Sequence, residues 1–312
     1  MEKYLVTGGA GFIGSNIAKR ILAQGDFARV LDDFSSGRKE NIAEFLANPN
    51  FELMEGDLTN LEVARNAVKD MDFVFHQAAI PSVQRSVEDP IKTNNANING
   101  TLNILVASRD AKIKKLVYAA SSSAYGENPQ LPKKEDMAPM PISPYALQKY
   151  VGERYCQIFW RIYGLPTICL RYFNVFGPHQ DPSSQYSAVI PKFITALLKK
   201  EKPVVYGTGE QSRDFTFIDN VVDINLLAAQ SEKGFGEVFN VGCGDQISLN
   251  QILKMLNEIL GVDIEAEYKE GRLGDVPHSR ADISKSKEIL GYEPKVNFKN
   301  GLIKAIDWYK QS

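Results

Sequence analysis

The sequence is poor in cysteine, and what it has shows no pattern typical of disulfides or metal clusters. Only three cysteines occur among its 312 residues. Cys156, Cys169 and Cys243 lack paired spacing, and the first two lie inside apolar runs where a small buried side chain is expected. The three histidines are also far apart, without ligand partners at metal spacing. We therefore expect neither disulfides nor a metal site.

Long hydrophobic runs and an excess of charge of one sign are also missing. No apolar run approaches the roughly 20 residues that span a bilayer, and the first residues, MEKYLVTGG, do not resemble a signal peptide. With 36 basic and 38 acidic residues, the net charge of -2 creates no field that would attract nucleic acid or an anionic membrane. These features favour a cytoplasmic protein that binds a small molecule and has no nucleic-acid or membrane partner.

The chain does contain a regular alternation of short apolar runs and helical patterns. Strand-like runs such as YLVTG, ARVLDD and KLVYAASS alternate with segments whose apolar residues recur every three or four positions. This rhythm predicts an α/β fold with a Rossmann-type, doubly wound parallel sheet. It changes near residue 175, so we predict a cofactor domain over 1–175 and a smaller C-terminal α/β substrate domain over 176–312. The segment 215–242 looks like a helix and a strand that return to the first sheet.

A glycine-rich turn follows the first predicted strand. Gly8, Gly11 and Gly14 stand between that strand and the first helix, where a tight turn lets the backbone and the helix N-terminus approach a pyrophosphate. Glycines alone are a weak signal, and their spacing departs from G-x-G-x-x-G. Asp32 strengthens the case, because it ends the second strand where a carboxylate can accept hydrogen bonds from a ribose. An acid there would repel the additional phosphate of NADP, so we predict NAD as the cofactor.

Tyr145 and Lys149 lie four positions apart on a predicted helix that begins after Ser143, and so share one face. Ser121 ends the predicted fifth strand, at the sheet edge where ligands bind. A phenol with a pKa near 10 becomes a useful base only if its pKa falls by about three units, which requires roughly 4 kcal/mol. A neighbouring ammonium and the positive nicotinamide ring could supply this stabilisation. We predict Tyr145, Lys149 and Ser121 as the catalytic residues.

The motifs TGGAGFIGS, YALQK and RYFNVFGP, together with Ser121 and GDVPHSRADISKSKEILGYEP, resemble the extended short-chain dehydrogenase/reductase family. The likeness runs through nearly the whole chain and is nearest to the nucleotide-sugar 4-epimerases. It implies a tightly held NAD, a C-terminal domain that grips a UDP-sugar, and a homodimer formed through helices that include the one bearing Tyr145. It also implies the reaction: oxidation of the sugar at C4, rotation of the 4-keto intermediate, and reduction on its other face.

The resemblance further implies two sets of contacts. The cofactor set is Gly8, Gly11, Phe12, Ile13, Gly14, Asp32, Asp57, Leu58, Ala78, Asn99, Tyr145 and Lys149. The substrate set is Ser82, Ser121, Ser122, Ser123, Asn174, Val189, Tyr206, Arg213, Arg272, Asp275 and Ser279. Within the second set, the arginines suit a diphosphate, since a guanidinium offers several charge-assisted hydrogen bonds.

Comparison with related activities narrows the expected reaction. The 4,6-dehydratases resemble this chain but carry an Asp-Glu pair where Ser122 and Ser123 stand, so dehydration is disfavoured. At the position of Ser279, UDP-glucose epimerases often hold a tyrosine, and the smaller serine leaves room for an N-acetyl group. We therefore predict a UDP-N-acetylglucosamine 4-epimerase that interconverts UDP-GlcNAc and UDP-GalNAc.

Alternatives remain open at this point. A UDP-glucose or UDP-glucuronate 4-epimerase fits the same motifs, although the glucuronate reading requires a cation near the sugar carboxylate that the sequence does not locate. A non-catalytic NAD-binding sensor would keep the glycine turn and Asp32 but would lose the serine, tyrosine or lysine.

Overall fold

The computed structural model describes residues 1–182, 189–270 and 278–311. Its strands, in chain order, are β1 (Lys3–Thr7), β2 (Phe27–Asp32), β3 (Phe51–Glu55), β4 (Phe73–His76), β5 (Lys115–Ser121), β6 (Thr167–Tyr172), β7 (Val175–Phe176), β8 (Val204–Tyr206), β9 (Ser212–Arg213), β10 (Thr216–Phe217), β11 (Glu237–Val241), β12 (Ile247–Ser248) and β13 (Glu267–Lys269). The helices are α1 (Phe12–Ala23), α2 (Leu61–Val68), α3 (Val83–Glu88), α4 (Pro90–Asn94), α5 (Gly100–Asp110), α6 (Pro144–Tyr163), α7 (Val189–Leu198), α8 (Ile218–Gln230), α9 (Leu249–Leu260), α10 (Ser284–Leu290) and α11 (Phe298–Tyr309). A π-helical turn over Asn95–Asn99 joins α4 to α5.

The central sheet of the described chain has seven strands in the order β11-β6-β5-β4-β1-β2-β3. All of its pairings are parallel. The chain builds outward from β1 through β2 and β3, then reverses and continues through β4, β5 and β6, so the carboxyl ends of β1 and β4 flank the switch point where ligands bind in such sheets. The predicted doubly wound parallel sheet is confirmed. At its edge, β11 pairs with β6, and Glu237 lies opposite Ile168.

Helices cover both faces of this sheet. Successive strand residues point to opposite faces, so Leu5 and Val74 belong to one buried apolar cluster while Val6 and Phe75 belong to the other. Helices α1 and α8 pack together on one side, and α2 packs on α5 on the other. Burial on both faces explains why the strand sequences are almost continuously apolar.

Helix α6 has clear sequence signals at both ends. Ser143 caps it, its side chain accepting a hydrogen bond from the Ala146 amide, and Pro144 occupies the first turn. Gly164 ends the helix in a left-handed conformation at φ 70°. The helix thus begins beside the carboxyl end of β5, and its first two turns carry Tyr145 and Lys149.

The remaining strands form three small pairs, β10 with β7, β12 with β9, and β13 with β8. The apolar cluster that contains Val6 continues through Phe176 and Leu256 to Leu302, so the C-terminal elements share one core with one face of the sheet. The division of the chain at residue 175 stays a prediction. Along the described ranges, every helix is too short or too polar to cross a lipid bilayer.

Candidate active site

A cleft of about 910 Å³ opens at the carboxyl ends of the central strands. It brings together most of the residues that the sequence singled out. Those that line it are Gly8, Gly11, Phe12, Ile13, Gly14, Asp32, Asp57, Leu58, Ala78, Ser82, Ser121, Ser122, Ser123, Tyr145, Lys149, Asn174, Arg213 and Ser279.

Three predicted contacts lie elsewhere than on the cleft wall. Asn99 is exposed and donates a hydrogen bond to Asn95 Oδ1 at 2.9 Å. Val189 packs against the apolar core, and Tyr206, which ends β8, is not one of the lining residues. Two further residues, Arg272 and Asp275, fall outside the described residues.

Asn99 lies in the segment that leads into α5. Its segment forms a π-helical turn, which takes more residues per turn than the α-helix that the sequence suggests. Asn97, in the same turn, faces the interior and is 1% exposed. Its amide oxygen accepts a hydrogen bond from the Ile80 backbone N–H at 2.8 Å, and its amide nitrogen donates to Gln148 Oε1 at 2.8 Å. Asn97 thus joins a loop of the cleft to the helix that carries Lys149.

The glycine turn brings the start of α1 close to the ends of β1 and β4. A Cβ at Gly14 would lie 2.3 Å from the Gly8 carbonyl oxygen, and Gly8 itself has a φ of +66° with its Cβ position 2.7 Å from the Ala78 backbone. No side chain caps the N-terminus of α1, whose flanking residue is Gly11. The helix therefore presents backbone N–H groups and the positive end of its dipole to the cleft, an arrangement that suits a pyrophosphate.

Asp32 lies at the end of β2 and is 7% exposed. Its carboxylate accepts hydrogen bonds from the backbone N–H groups of Ala10 and Phe34, both at 2.9 Å. Burial raises the pKa of this carboxyl, and the two backbone bonds partly offset that effect. A Cβ at Gly37 would lie 2.6 Å from Asp32 Oδ1, so the chain passes directly over the acid only because Gly37 has no side chain.

Ser121, Tyr145 and Lys149 meet where β5 ends and α6 begins. Ser121 lies beside the Tyr145 phenol, near enough to lower its pKa, and its hydroxyl oxygen accepts a hydrogen bond from Ser123 Oγ at 2.8 Å. The Lys149 ammonium is buried, donates to the Ala119 carbonyl at 2.9 Å and lies 5.1 Å from the centre of the Tyr118 ring. These contacts hold the serine, the phenol and the ammonium on one wall of the cleft.

The protonation behaviour of this group differs from the sequence-based expectation. Burial raises the pKa of Tyr145, although the hydrogen bond from Ser121 lowers it. Burial also lowers the pKa of Lys149 to about 8. The protein groups alone therefore do not produce the predicted lowering of the phenol pKa, because removal from water outweighs the neighbouring hydrogen bond.

A buried hydrogen-bonded chain links the glycine turn to the π-helical turn. The Ala78 amide donates to Thr7 Oγ1 at 3.3 Å, Thr7 Oγ1 lies 2.7 Å from His76 Nδ1, and His76 Nε2 lies 2.9 Å from Thr101 Oγ1. Thr101 donates its only hydroxyl proton to the Asn97 carbonyl at 2.6 Å. Nε2 must therefore carry the imidazole proton and Nδ1 must accept from Thr7. Neutral His76 thus holds Thr7, at the end of β1, and Thr101, in α5, in place behind the cofactor side of the cleft.

The other end of the cleft contains the predicted substrate residues. Asn174 donates to the Asp214 carbonyl at 3.2 Å, and Arg213 donates to the Ser212 carbonyl at 3.0 Å. The Ser279 backbone N–H donates to the same Ser212 carbonyl at 3.0 Å. The Ser279 hydroxyl oxygen is buried and has no hydrogen-bond partner among the described residues. This end of the cleft therefore combines the buried Ser279 hydroxyl with an arginine that lines the cleft.

Sequence reasoning missed several residues that line the cleft. Gln77 follows β4 and donates to the Tyr172 hydroxyl at 3.1 Å. Its position directly after a buried strand could have identified it, because strand ends meet at the ligand crevice. Lys133 also lines the cleft, but its surroundings in the sequence, QLPKKED, read as a solvated polar loop and give no such signal.

The comparisons agree with this fold and site. A family model described as the NAD dependent epimerase/dehydratase family matches residues 4–242, and the chain belongs to this family. A putative UDP-glucose 4-epimerase of Methanocaldococcus jannaschii is 38% identical, with 99% of this chain and 98% of the relative covered.

Solved structures show the same relationship. The UDP-N-acetylglucosamine 4-epimerase of Methanobrevibacter ruminantium M1, in complex with UDP-N-acetylmuramic acid, has a TM-score of 0.94 at 40% identity, covering 99% of each chain. The UDP-glucuronic acid 4-epimerase of Bacillus cereus, in complex with UDP-glucuronic acid and NAD, has a TM-score of 0.92 at 33% identity, again covering 99% of each chain. These similar proteins are 4-epimerases of UDP-sugars, as the sequence resemblance predicted.

NAD is the cofactor of the family, and the residues present fit it. Gly14 and Gly8 approach each other so closely that a single Cβ would fill the space between them. The N-terminus of α1 lies at this turn and has no side-chain cap. Asp32 lies at the end of the neighbouring strand, at the edge of the same cleft. The glycine turn would hold the pyrophosphate, and Asp32 would accept hydrogen bonds from the adenosine ribose.

Proposed function

We propose that the protein epimerises UDP-sugars at C4 through a 4-keto intermediate, with UDP-GlcNAc and UDP-GalNAc as its principal substrates. The observation that carries this proposal is the meeting of Ser121, Tyr145 and Lys149 on one wall of the cleft that also contains the glycine turn. A sensor that only bound NAD would have no need of this group. The non-catalytic alternative is therefore the weaker one.

In the proposed reaction, Tyr145 accepts the proton of the sugar 4-hydroxyl and later returns it. Ser121 orients the reacting oxygen, since its hydroxyl lies beside the phenol. The Lys149 ammonium adds positive charge on the same wall, which favours the phenolate. When bound, NAD accepts a hydride from the sugar and gives it back, so the reaction has no net redox change.

The nucleotide would be held at a distance from the reacting carbon. Asn174 and Arg213 line the cleft beyond the serines, where they would contact the diphosphate. From the family resemblance we assign Arg272 and Asp275 to the rest of the nucleotide grip. Binding energy from this non-reacting part would keep the intermediate in the site while the sugar turns over.

The substrate preference rests on Ser279. Ser279 lines the cleft and its side chain is small, which leaves room beside it for an N-acetyl group. Additional room does not itself reject a smaller sugar. UDP-glucose and UDP-galactose are therefore expected as secondary substrates, and UDP-glucuronate remains the second candidate.

Assays with four UDP-sugars test this proposal. UDP-GlcNAc, UDP-GalNAc, UDP-glucose and UDP-glucuronate are incubated separately with NAD-loaded protein, and the products are separated by chromatography while absorbance at the NADH wavelength is followed. The expected result is interconversion of the N-acetyl sugars without net NADH. Binding of UDP-sugars without isomerisation or cofactor reduction would favour the sensor, and faster turnover of UDP-glucuronate would reverse the ranking.

The homodimer implied by the family also remains a proposal. Its support is an outward stripe on α6, where Leu147, Ile158 and Ile162 are 51%, 41% and 65% exposed at spacings that place them on one helical face. Light scattering coupled to gel filtration should give twice the chain mass. A Leu147→Glu variant should shift the protein to monomer.

A further inference from the structure

The cleft contains a buried cation that the proposed reaction does not use. Lys133 lines the cleft and is 2% exposed. Its ammonium donates to the Asn128 carbonyl, and no carboxylate of the described residues lies within ion-pair distance of it. Lys134, the next residue, is instead 55% exposed and lies 3.9 Å from Asp282.

Lys133 is held between the two segments that surround the sugar in our proposal. On one side its backbone N–H donates to the Arg280 carbonyl at 2.7 Å, one residue beyond Ser279. On the other side, Asn128 donates its backbone N–H to the Tyr125 carbonyl at 3.2 Å, at the end of the turn that begins with Ser121. Lys133 therefore belongs to the sugar end of the cleft, whereas Asp32 lies at the opposite end.

A buried ammonium without a counter-ion is unfavourable, because one carbonyl does not replace its hydration. Burial lowers the pKa of Lys133, and no neighbouring acid raises it. An anionic group entering the cleft would offset this cost. A sugar carboxylate would do so at this position, since Arg213 and Asn174 already provide the contacts assigned to the diphosphate.

We propose that Lys133 binds the carboxylate of an acidic sugar, so that the enzyme accepts UDP-uronic acids and other carboxylated UDP-sugars besides neutral N-acetylhexosamines. The inference rests on the proposed function. It supplies the cation that the glucuronate alternative requires and that the sequence did not locate.

The test compares Lys133→Met with Lys134→Met. Methionine keeps most of the apolar stem and removes the charge, and because a buried charge is lost, the variant should fold with an equal or higher Tm. NAD-loaded wild type should bind and epimerise UDP-glucuronate. In Lys133→Met the ratio of kcat/KM for UDP-glucuronate to that for UDP-GlcNAc should fall at least tenfold. Lys134→Met should leave this ratio unchanged.

Calorimetric titration with UDP, UDP-GlcNAc and UDP-glucuronate separates the possible outcomes. Weaker binding of UDP-glucuronate alone supports the inference. Equal weakening for all three ligands, including UDP, would assign Lys133 to the diphosphate and overturn it, as would no change for any of them. If no sugar is epimerised, the proposed function fails, yet the titration still decides whether Lys133 recognises a carboxylate.

Discussion

The glycine turn allows a prediction whose size follows from the structure. In Gly14→Ala, the new methyl would lie 2.3 Å from the Gly8 carbonyl oxygen and 2.7 Å from the Gly9 Cα. Both are backbone atoms that no side-chain rotation can move aside. Restoring ordinary contact distances requires the start of α1 to move by about 1 Å away from the strand ends.

This displacement should affect cofactor binding more than folding. Overpacking of this kind lowers the free energy of unfolding by about 1–3 kcal/mol, which a protein of this size can tolerate. The pyrophosphate site depends on the same backbone approach, so we expect the affinity for NAD to fall at least tenfold. The measurement is the NAD released per chain on denaturation of purified protein, together with the Kd for added NAD.

Gly100→Ala is the matched control. Gly100 begins α5, and a Cβ there would be 3.4 Å from its nearest neighbour, Leu58 Cβ, which is ordinary contact. This variant should keep its NAD and its Tm. If Gly14→Ala retains NAD as the control does, the cofactor does not approach this turn, and the reasoning from the glycines is refuted.

Three further predictions concern single side chains. His76→Gln should make the stability of the fold less sensitive to acid. Burial, with a smaller effect of Lys149, lowers the pKa of His76 to about 3, so below about pH 6.5 only the unfolded chain takes up the imidazole proton. Urea unfolding of wild type should therefore show a free energy of unfolding that falls by about 2 kcal/mol between pH 7 and 5, and the variant should lack this fall. Lys149→Arg should extend the activity to higher pH. The wild-type ammonium, with a pKa of about 8, loses its proton above that pH, so kcat of wild type should decline near pH 8 and kcat of the variant at a higher pH. If the decline stays at the same pH in the variant, it reflects the titration of another group. Ser279→Tyr should suppress turnover of the N-acetyl sugars and spare UDP-glucose; equal losses for both would reject the size argument.

The sequence predicted those parts of the site that local chemistry determines. Ser143, Pro144 and Gly164 mark the ends of α6 through capping and backbone preferences, so the shared face of Tyr145 and Lys149 follows from helix geometry alone. Asp32 and Ser121 could be placed because each ends an apolar run that becomes a strand of the parallel sheet.

Other features depend on contacts that no local pattern reveals. Asn99 lies off the cleft wall in a π-helical turn, which local sequence does not distinguish from an α-helix. Lys133 is buried only because its loop packs against the segment after Ser279, more than a hundred residues away. The raised pKa of Tyr145 likewise reflects burial by distant parts of the chain.

The central claim is that Tyr145 moves the proton while the sugar is oxidised and reduced in the same site. Tyr145→Phe removes only the hydroxyl, so it tests this claim most directly when kcat for UDP-GlcNAc is measured on protein with its fold and NAD content verified. The account predicts a fall in kcat of about 10²- to 10⁴-fold with UDP-sugar binding preserved. Full turnover by the phenylalanine variant would contradict it.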